Sequence, residues 1–140
     1  MTQPFNHNQL TITFPSYPDE RGTLTVAGLN RSGILPFKVE RVFWITGVPD
    51  HAIRGCHAHR RCHEALICLH GSVKVKVDNG CGQSFTTTQS SPDKGLLIPP
   101  MVWCELSDFA PGTVCLCLAS GDYDKEGYLG SLEELKAALL

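Results

Sequence analysis

Short runs of apolar residues, separated by turn residues, recur along the whole chain. In the segment 73–77 three valines alternate with two lysines, which is the pattern of a strand with one buried and one solvated face. Asp78-Asn79-Gly80 follows this segment and favours a hairpin, because Asn and Gly both tolerate a positive φ. Nine runs predict strands, at 10–14, 23–27, 39–45, 64–69, 73–77, 84–88, 96–98, 102–106 and 113–119. Short strands at such regular spacing are typical of a sandwich or barrel.

The C-terminal end alone has a helical pattern. Ser131-Leu132-Glu133-Glu134 has the order of a capping box, and Leu132, Leu135 and Leu139 fall on one helical stripe. Glycine and proline are scattered instead of gathered into a linker, and the chain has no internal repeat. We therefore expect one all-β domain over residues 1–140, with a short terminal helix at 131–140.

Composition narrows the class of protein. The chain has 140 residues, of which 42% are hydrophobic and 19% charged, so it has enough apolar residues for a core and too many for intrinsic disorder. The formal net charge of -2 lacks the basic excess of a nucleic-acid-binding protein. No segment approaches the roughly 18 consecutive apolar residues of a membrane span. We expect neither nucleic acid nor a membrane among its partners.

The cysteines bear on the cellular compartment. Their number is seven, which is odd, and their spacing is irregular. The first fourteen residues lack a basic region followed by an apolar one, so we expect no signal peptide. A disulfide framework is therefore disfavoured, and the pattern indicates a cytoplasmic protein in which most cysteines are small buried hydrophobes.

Five of the six histidines lie between positions 51 and 70. If the segment around His57 and His59 is extended, both side chains point to the same face, because strand side chains repeat every two residues. Two neighbouring imidazoles can bind a metal or move protons near neutral pH. His51, His63 and His70 fall outside this pair, and we interpret them as structural or exposed.

The spacing around the pair resembles the first cupin motif: His57-x-His59, four residues, Glu64, six residues, then Gly71. The segment 95–104 is similar to the second motif, with Cys104 at the position where a cupin usually has its last histidine. The resemblance implies a cupin or jelly-roll β-barrel, which agrees with the strand pattern.

Within that class the chain resembles the nucleotide-sugar 3,4-ketoisomerases, the WxcM-like cupins. The resemblance implies a dTDP-4-keto-6-deoxy-D-glucose 3,4-ketoisomerase, which moves the keto group from C4 to C3 in the biosynthesis of 3-amino-3,6-dideoxyhexoses such as those of lipopolysaccharide O-antigens. It also implies a homodimer that exchanges N-terminal strands, and no metal or other cofactor. The matching blocks, in chain order, are Arg21-Gly22-x-Leu24, Pro36-Phe37-x-x-x-Arg41-Val42, Arg54-Gly55-x-His57-Ala58-His59-Arg60, Gly71-Ser72-Val73, Pro99-x-x-Val102-Trp103 and Leu118-Ala119-Ser120-x-x-Tyr123-Asp124.

The match to the family assigns roles to individual residues. His57 corresponds to its catalytic position and is the expected proton shuttle, and His59 is expected to relay a proton or orient the sugar. Arg54 is a candidate for stabilising an enediolate oxygen or binding a phosphate, and Arg41 is a second phosphate candidate, because a guanidinium matches a diphosphate in a bidentate way. Trp103 and Tyr123 are further candidates for substrate binding.

Three departures from the family pattern keep alternatives open. Phe43 and Trp44 stand where a tyrosine is common, Glu64 stands where a glutamine is frequent, and Cys104 replaces a histidine. His57, His59, Glu64 and Cys104 are also a reasonable ligand set for zinc or iron, which would make the chain a metal-dependent cupin enzyme. The third alternative is a cupin that binds a sugar nucleotide without catalysis.

Overall fold

Two five-stranded antiparallel sheets make up most of the computed structural model, which describes residues 5–29 and 33–140. One sheet has the strand order β1-β9-β6-β11-β4, the other has the order β12-β5-β10-β7-β8, and β2 and β3 form a separate hairpin. The strands are β1 (Thr11–Thr13), β2 (Ser16–Asp19), β3 (Gly22–Thr25), β4 (Arg41–Ile45), β5 (Arg54–His59), β6 (Glu64–His70), β7 (Val73–Asp78), β8 (Ser84–Gln89), β9 (Lys94–Ile98), β10 (Trp103–Ser107), β11 (Val114–Ala119) and β12 (Tyr128–Leu129). The helices are α1 (His7–Leu10), α2 (Leu132–Ala138) and a 3₁₀ turn at Lys125–Gly127.

The main core lies between the two sheets. The valines of β7 are fully buried in it and its lysines are exposed, as the alternating pattern predicts. Leu66 and Cys68 of β6 enter the same core from the other sheet. The packing of two sheets face to face confirms the prediction of an all-β fold, and each of the nine predicted strands has a counterpart shifted by a few residues at most.

The nine predicted strands leave out β2, the two-residue β12 and β5, which the sequence analysis considered only as a condition for the histidine pair. They also leave out α1 and the 3₁₀ turn. The predicted hairpin is present between β7 and β8, but its loop runs over residues 79–83 and closes through a bond from Asn79 N to Gln83 O. Of the Asn-Gly pair only Gly80 has a positive φ, because the Asn79 side chain instead accepts hydrogen bonds from two later amides in the loop.

The terminal helix α2 begins as its capping sequence predicts. Ser131 Oγ accepts a hydrogen bond from Glu134 N at 3.1 Å, and Glu134 Oε2 accepts one from Gly130 N at 2.9 Å. Leu135 is fully buried against Leu129 and Trp103, so α2 covers the outer face of the second sheet. Within the described residues, no helix has the length and apolarity needed to cross a membrane.

A bulge in β5 aims the histidine pair at the core. Cys104 of β10 pairs with His57, whereas Glu105 pairs with Gly55, so Cys56 is an extra residue with a φ of 57°. Gly55 has a φ of 80°, and a Cβ there would lie 2.9 Å from the carbonyl oxygen of Cys104. The close approach of β5 to β10 therefore requires glycine at this position.

Candidate active site

A cavity of about 300 Å³ lies between the two sheets, and both sheets contribute residues to its lining. Its lining combines aliphatic and aromatic side chains, including Phe43 and Leu66, with a small group of polar ones. The polar residues come from six strands and are Arg41, Arg54, His57, Glu64, Cys104, Cys117 and Tyr128. An apolar pocket with a few convergent polar groups is the usual form of a small-molecule site.

The histidine pair lies at this cavity, as the alternation of strand side chains predicts. The Nε2 atoms of His57 and His59 are 3.1 Å apart, and the two rings meet edge to face with centroids 4.7 Å apart. His57 lines the cavity, whereas His59 is buried behind it and also lines a second pocket. The pair therefore connects the cavity with a second, more external space.

Hydrogen bonding determines which nitrogen of each ring carries a proton. His57 Nδ1 lies 3.0 Å from the carbonyl oxygen of Gly55, which can only accept, so Nδ1 is the protonated nitrogen and Nε2 of neutral His57 has the lone pair. His59 Nε2 lies 3.2 Å from Glu64 Oε1, and only 6% of the His59 side chain and 8% of the Glu64 side chain are exposed. His59 Nε2 thus faces two acceptors and carries the proton that they share.

The electrostatic environment keeps His57 neutral and Glu64 charged. Burial lowers the pKa of His57 and the charge of His59 lowers it further, against the opposing effects of the Gly55 carbonyl and the Glu64 carboxylate. Burial alone would raise the pKa of Glu64, but hydrogen bonds and charge from His59, with smaller effects of His57 and Cys117, lower it overall. The site therefore places a neutral imidazole beside a buried carboxylate.

Tyr128 is a cavity residue that the sequence interpretation missed. Its ring stacks on His57 at a centroid distance of 4.8 Å and an interplanar angle of 12°, and it meets the edge of His59 at 4.5 Å. It reaches this position because β12 pairs with β5, which puts Tyr128 opposite His59. The available signal was the third tyrosine of the chain, three residues before the capping sequence, but a two-residue strand has no detectable periodicity.

The two arginines of the cavity differ in their surroundings. Arg41, at the start of β4, is half-buried, and its guanidinium lies over the Phe43 ring at 4.9 Å. Its Nε atom is buried and has no hydrogen-bond partner among the described residues. Arg54 is exposed at the start of β5, so its guanidinium belongs to the rim of the cavity.

Two of the sequence-predicted binding residues lie outside this cavity. Trp103 is buried against Ala58, Leu129 and Leu135 on the other face of β10, and its Nε1 donates to Glu105 Oε1 at 3.0 Å. Tyr123 lines the second pocket, of about 370 Å³, and contacts the Tyr128 ring at 5.5 Å. Tyr123 therefore shares the second pocket with His59 but not the cavity that His57 lines, and Trp103 lines neither of the two.

Three of the four side chains that the sequence suggests as metal ligands lie close together. Among the described residues, His57, His59 and Glu64 each have a potential ligand atom, and these three atoms lie within 4.8 Å of one another. Cys104 lines the same cavity but is not part of that group. Burial, with the charge of Glu64, raises the pKa of Cys104, so a cation bound there would have to displace the thiol proton.

The other cysteines mostly confirm the interpretation as core residues. Cys68, Cys115 and Cys117 are buried, whereas Cys56 is exposed. Cys117 differs from the expected filler because its Sγ donates to Glu64 Oε2 at 3.6 Å. It therefore adds a second contact to the buried carboxylate.

Comparisons with known proteins match this chain to one family and to a curated relative. The family model described as FdtA, WxcM-like, C-terminal matches residues 7–139. A curated protein of Aneurinibacillus thermoaerophilus, named TDP-4-oxo-6-deoxy-alpha-D-glucose-3,4-oxoisomerase, is 35% identical over 125 residues, which are 89% of this chain and 88% of that protein.

Solved structures of 3,4-ketoisomerases are also similar to this chain. A mutant of the 3,4-ketoisomerase QdtA from Thermoanaerobacterium thermosaccharolyticum, in complex with TDP-4-keto-6-deoxyglucose, is similar with a TM-score of 0.86 and 34% identity over 91% of each chain. The TDP-quinovose 3,4-ketoisomerase WlaRB of Campylobacter jejuni has a TM-score of 0.84 and 29% identity over 91% of this chain and 95% of that chain. These similarities confirm the predicted cupin-like barrel.

Proposed function

The chain belongs to the FdtA family of WxcM-like, C-terminal proteins, and we propose that it is a TDP-sugar 3,4-ketoisomerase whose substrate is TDP-4-keto-6-deoxyglucose. The observation that carries the catalytic part of the proposal is the state of His57. It is a neutral imidazole at the wall of a cavity, with its lone pair on Nε2 and a buried carboxylate nearby. Such a group both accepts and returns a proton near neutral pH.

The reaction is an internal transfer of hydrogen. His57 Nε2 takes the proton from C3, the C3–H electron pair becomes the C3=C4 double bond, and the carbonyl electrons move onto the C4 oxygen. The proton on the C3 oxygen then passes to the C4 oxygen, and His57 returns its proton to C4 as the C3 carbonyl forms. Atoms and electrons balance without an external oxidant, so we propose that the reaction needs no metal or other cofactor.

His59 and Glu64 support the base. The proton on His59 Nε2 has two acceptors within 3.2 Å, the lone pair of His57 and Glu64 Oε1. When the His57 lone pair takes the substrate proton, the His59 proton turns to Glu64. The Glu64 carboxylate also offsets the positive charge that develops on His57, because an opposite charge close by in a buried site favours the protonated form of the imidazole.

We assign the diphosphate to the rim of the cavity. Arg54 is exposed there and its charge is free to meet an anion, in agreement with the phosphate role that the sequence predicts. Trp103 has no access to the cavity and acts through the packing of β5 and β12 against β10. Tyr123 lies on the second pocket, where we propose that it holds Tyr128 in place.

The activity test uses purified protein and TDP-4-keto-6-deoxyglucose, with the product identified by NMR and trapped as a 3-amino sugar by a 3-aminotransferase. We expect the 3-keto isomer. His57→Asn should lower kcat by about 10²–10⁴-fold, the contribution of a general acid–base group. His51→Asn is the matched control, because His51 is exposed beside Asp50 and has no contact with the cavity.

The same experiment separates the alternatives. Absence of turnover in the native protein would leave a cupin that binds a sugar nucleotide without catalysis. The cluster of His57, His59 and Glu64 gives the metal-dependent alternative a specific basis. Metal analysis of protein purified without added metal tests it, and one stoichiometric transition ion that is needed for turnover would refute the metal-free proposal.

We propose that the protein is a homodimer. The outer face of the first sheet is apolar, and Trp44 is 67% exposed there beside Leu116, its cross-strand partner. In the separate hairpin, the cross-strand pair Tyr17 and Leu24 is also exposed, at 60% and 64%. Exposed apolar groups on neighbouring elements favour a second copy of the chain, with exchange of N-terminal strands as the family resemblance implies.

Sedimentation velocity measures the oligomeric state. Trp44→Glu should yield a monomer, because a charge would be buried in the interface. Ile53→Glu is the control, since Ile53 is 61% exposed but lies in the loop before β5. A native monomer, or a dimer that survives Trp44→Glu, would refute the proposed interface.

We also propose a cytoplasmic location. All seven cysteines are free, as is usual in a reducing compartment. Fractionation of cells that express the chain tests this location.

A further inference from the structure

The wall of the cavity beside His57 contains two hydrogen-bond donors that the proton transfer does not use. One is the guanidinium of Arg41, whose Nε atom is buried without a partner among the described residues. The other is the hydroxyl of Tyr128, whose ring stacks on His57. Both residues line the same cavity, although β4 and β12 belong to different sheets.

We propose that Arg41 and Tyr128 form the oxyanion site of the isomerase, binding the sugar oxygen that becomes negative when His57 removes the C3 proton. This inference rests on the proposed function. It replaces the phosphate role that the sequence suggested for Arg41, because a half-buried guanidinium held over Phe43 lies deeper than the exposed rim residue Arg54.

The donor capacity of the two groups supports this assignment. A guanidinium has only donors, so in its contact with Tyr128 the phenol oxygen is the acceptor. The phenolic hydrogen is then free to point at a ligand oxygen. The Arg41 guanidinium supplies the second donor, and its buried Nε–H, which has no acceptor among the described residues, is unfavourable until it finds one.

The charge state of Tyr128 agrees with a donor role. Burial raises the pKa of the Tyr128 hydroxyl, with Glu64 and Tyr123 acting in the same direction and Arg41 in the opposite one. The phenol is therefore neutral and keeps its proton at physiological pH. The positive charge of Arg41 remains available for the negative oxygen of the intermediate.

The chemistry requires such a site. As the C3–H bond breaks, its electron pair forms the C3=C4 bond and the carbonyl pair moves to the C4 oxygen, which becomes an enediolate oxygen. Preorganised donors at the position where charge develops lower the barrier, and loss of one such donor typically costs about 10²–10³-fold in kcat. The adjacent C3 oxygen carries the charge later, within reach of the same groups.

The test compares two tyrosine variants. Tyr128→Phe removes the hydroxyl and keeps the ring that packs on His57, so we expect kcat to fall by about 10²-fold and KM to change by less than about threefold. Tyr17→Phe is the matched control, because Tyr17 lies on the separate hairpin, lines neither the cavity nor the second pocket, and keeps its ring in this variant. Its kcat should remain within about twofold of the native value.

A double-variant cycle adds the second donor. Arg41→Lys keeps the charge but loses the Nε–H, and we expect a kcat loss of about 10-fold or more. If both groups bind one oxygen, Arg41→Lys with Tyr128→Phe should cost less than the product of the single losses. Circular dichroism and the melting temperature verify that each variant is folded.

The outcomes are distinguishable. If the native protein isomerises the sugar but Tyr128→Phe has native kcat, only packing of the ring matters and the oxyanion site is refuted. An equal loss in Tyr17→Phe, or strictly multiplicative losses in the double variant, would refute it as well. If the native protein does not isomerise the sugar, the proposed function is refuted and the oxyanion site with it.

Discussion

Cys104 is the cross-strand partner of His57 in the pairing of β10 with β5, and both side chains face the cavity. Burial, together with the charge of Glu64, raises the pKa of Cys104, so the neighbour of His57 on this side is an uncharged thiol. The groups that act on the charge of His57 therefore come from its own strand and from β6. We therefore interpret Cys104 as a structural residue, although a cupin usually has a histidine at this position.

Thiol reactivity tests this interpretation. We expect iodoacetamide to modify Cys81 in the folded protein, because Cys81 is exposed, and to leave Cys104 and Cys115 unmodified. The thiolate is the reactive form, and burial raises the pKa of Cys115 to about 12. Peptide mass spectrometry gives the sites. In denaturant all seven cysteines should react, and native modification of Cys104 as fast as Cys81 would contradict the interpretation.

The state of His57 predicts the pH dependence of catalysis. The base works only when neutral, so kcat/KM should be constant above its pKa and fall below it. Burial is the main cause that lowers this pKa from 6.5, so the fall should be centred below pH 6.5. A pH–rate profile of kcat/KM measures it. A limb centred clearly above pH 6.5 would mean that another group titrates or that His57 is not desolvated in solution.

Glu64→Gln should shift that profile. Removal of the carboxylate removes an effect that raises the pKa of His57, so the acid limb should move to lower pH. The weaker base should also lower kcat, by about 10-fold. Glu105→Gln is the control, since Glu105 bonds to Trp103 Nε1 outside the cavity. An unchanged limb in Glu64→Gln would show that Glu64 serves only packing.

Much of this architecture was predictable because strand alternation carries information about burial. The valines of β7 and the pair His57 and His59 both follow the period of two, and the structure has them on the expected faces. The same rule separates two neighbouring residues of β10. Trp103 and Cys104 are consecutive on β10, so they cannot both face the cavity, and it is Trp103 that packs on the outer side.

The rest of the site depends on contacts between distant parts of the chain. Tyr128 is far from His57 in sequence and reaches it through a strand of two residues, which is too short to produce a pattern. The bulge at Cys56 is equally hard to locate, because a cysteine with positive φ is uncommon and the neighbouring Gly55 is the one sign of it in the sequence. Both features arise from tertiary packing, which local patterns do not encode.

The bulge itself gives the last prediction. Gly55 has a φ of 80°, its carbonyl holds His57 Nδ1, and a Cβ would lie 2.9 Å from Cys104 O. Gly55→Ala should therefore push β5 away from β10 and turn the His57 ring. The backbone strain should lower the free energy of unfolding by about 1–3 kcal/mol. We expect a melting temperature lower by several degrees, measured by calorimetry, and kcat reduced by about 10-fold or more because the base is misplaced.

Gly121→Ala is the matched control for this prediction. Gly121 has no positive φ, and a Cβ there would meet nothing within 4 Å, so stability and kcat should both stay close to native values. Loss of stability in Gly55→Ala without loss of kcat would mean that the Gly55 carbonyl does not orient His57. Loss of kcat with an unchanged melting temperature would instead mean that the position of His57 does not depend on the pairing of β5 with β10. Only the combined loss supports the link between the bulge and the catalytic base.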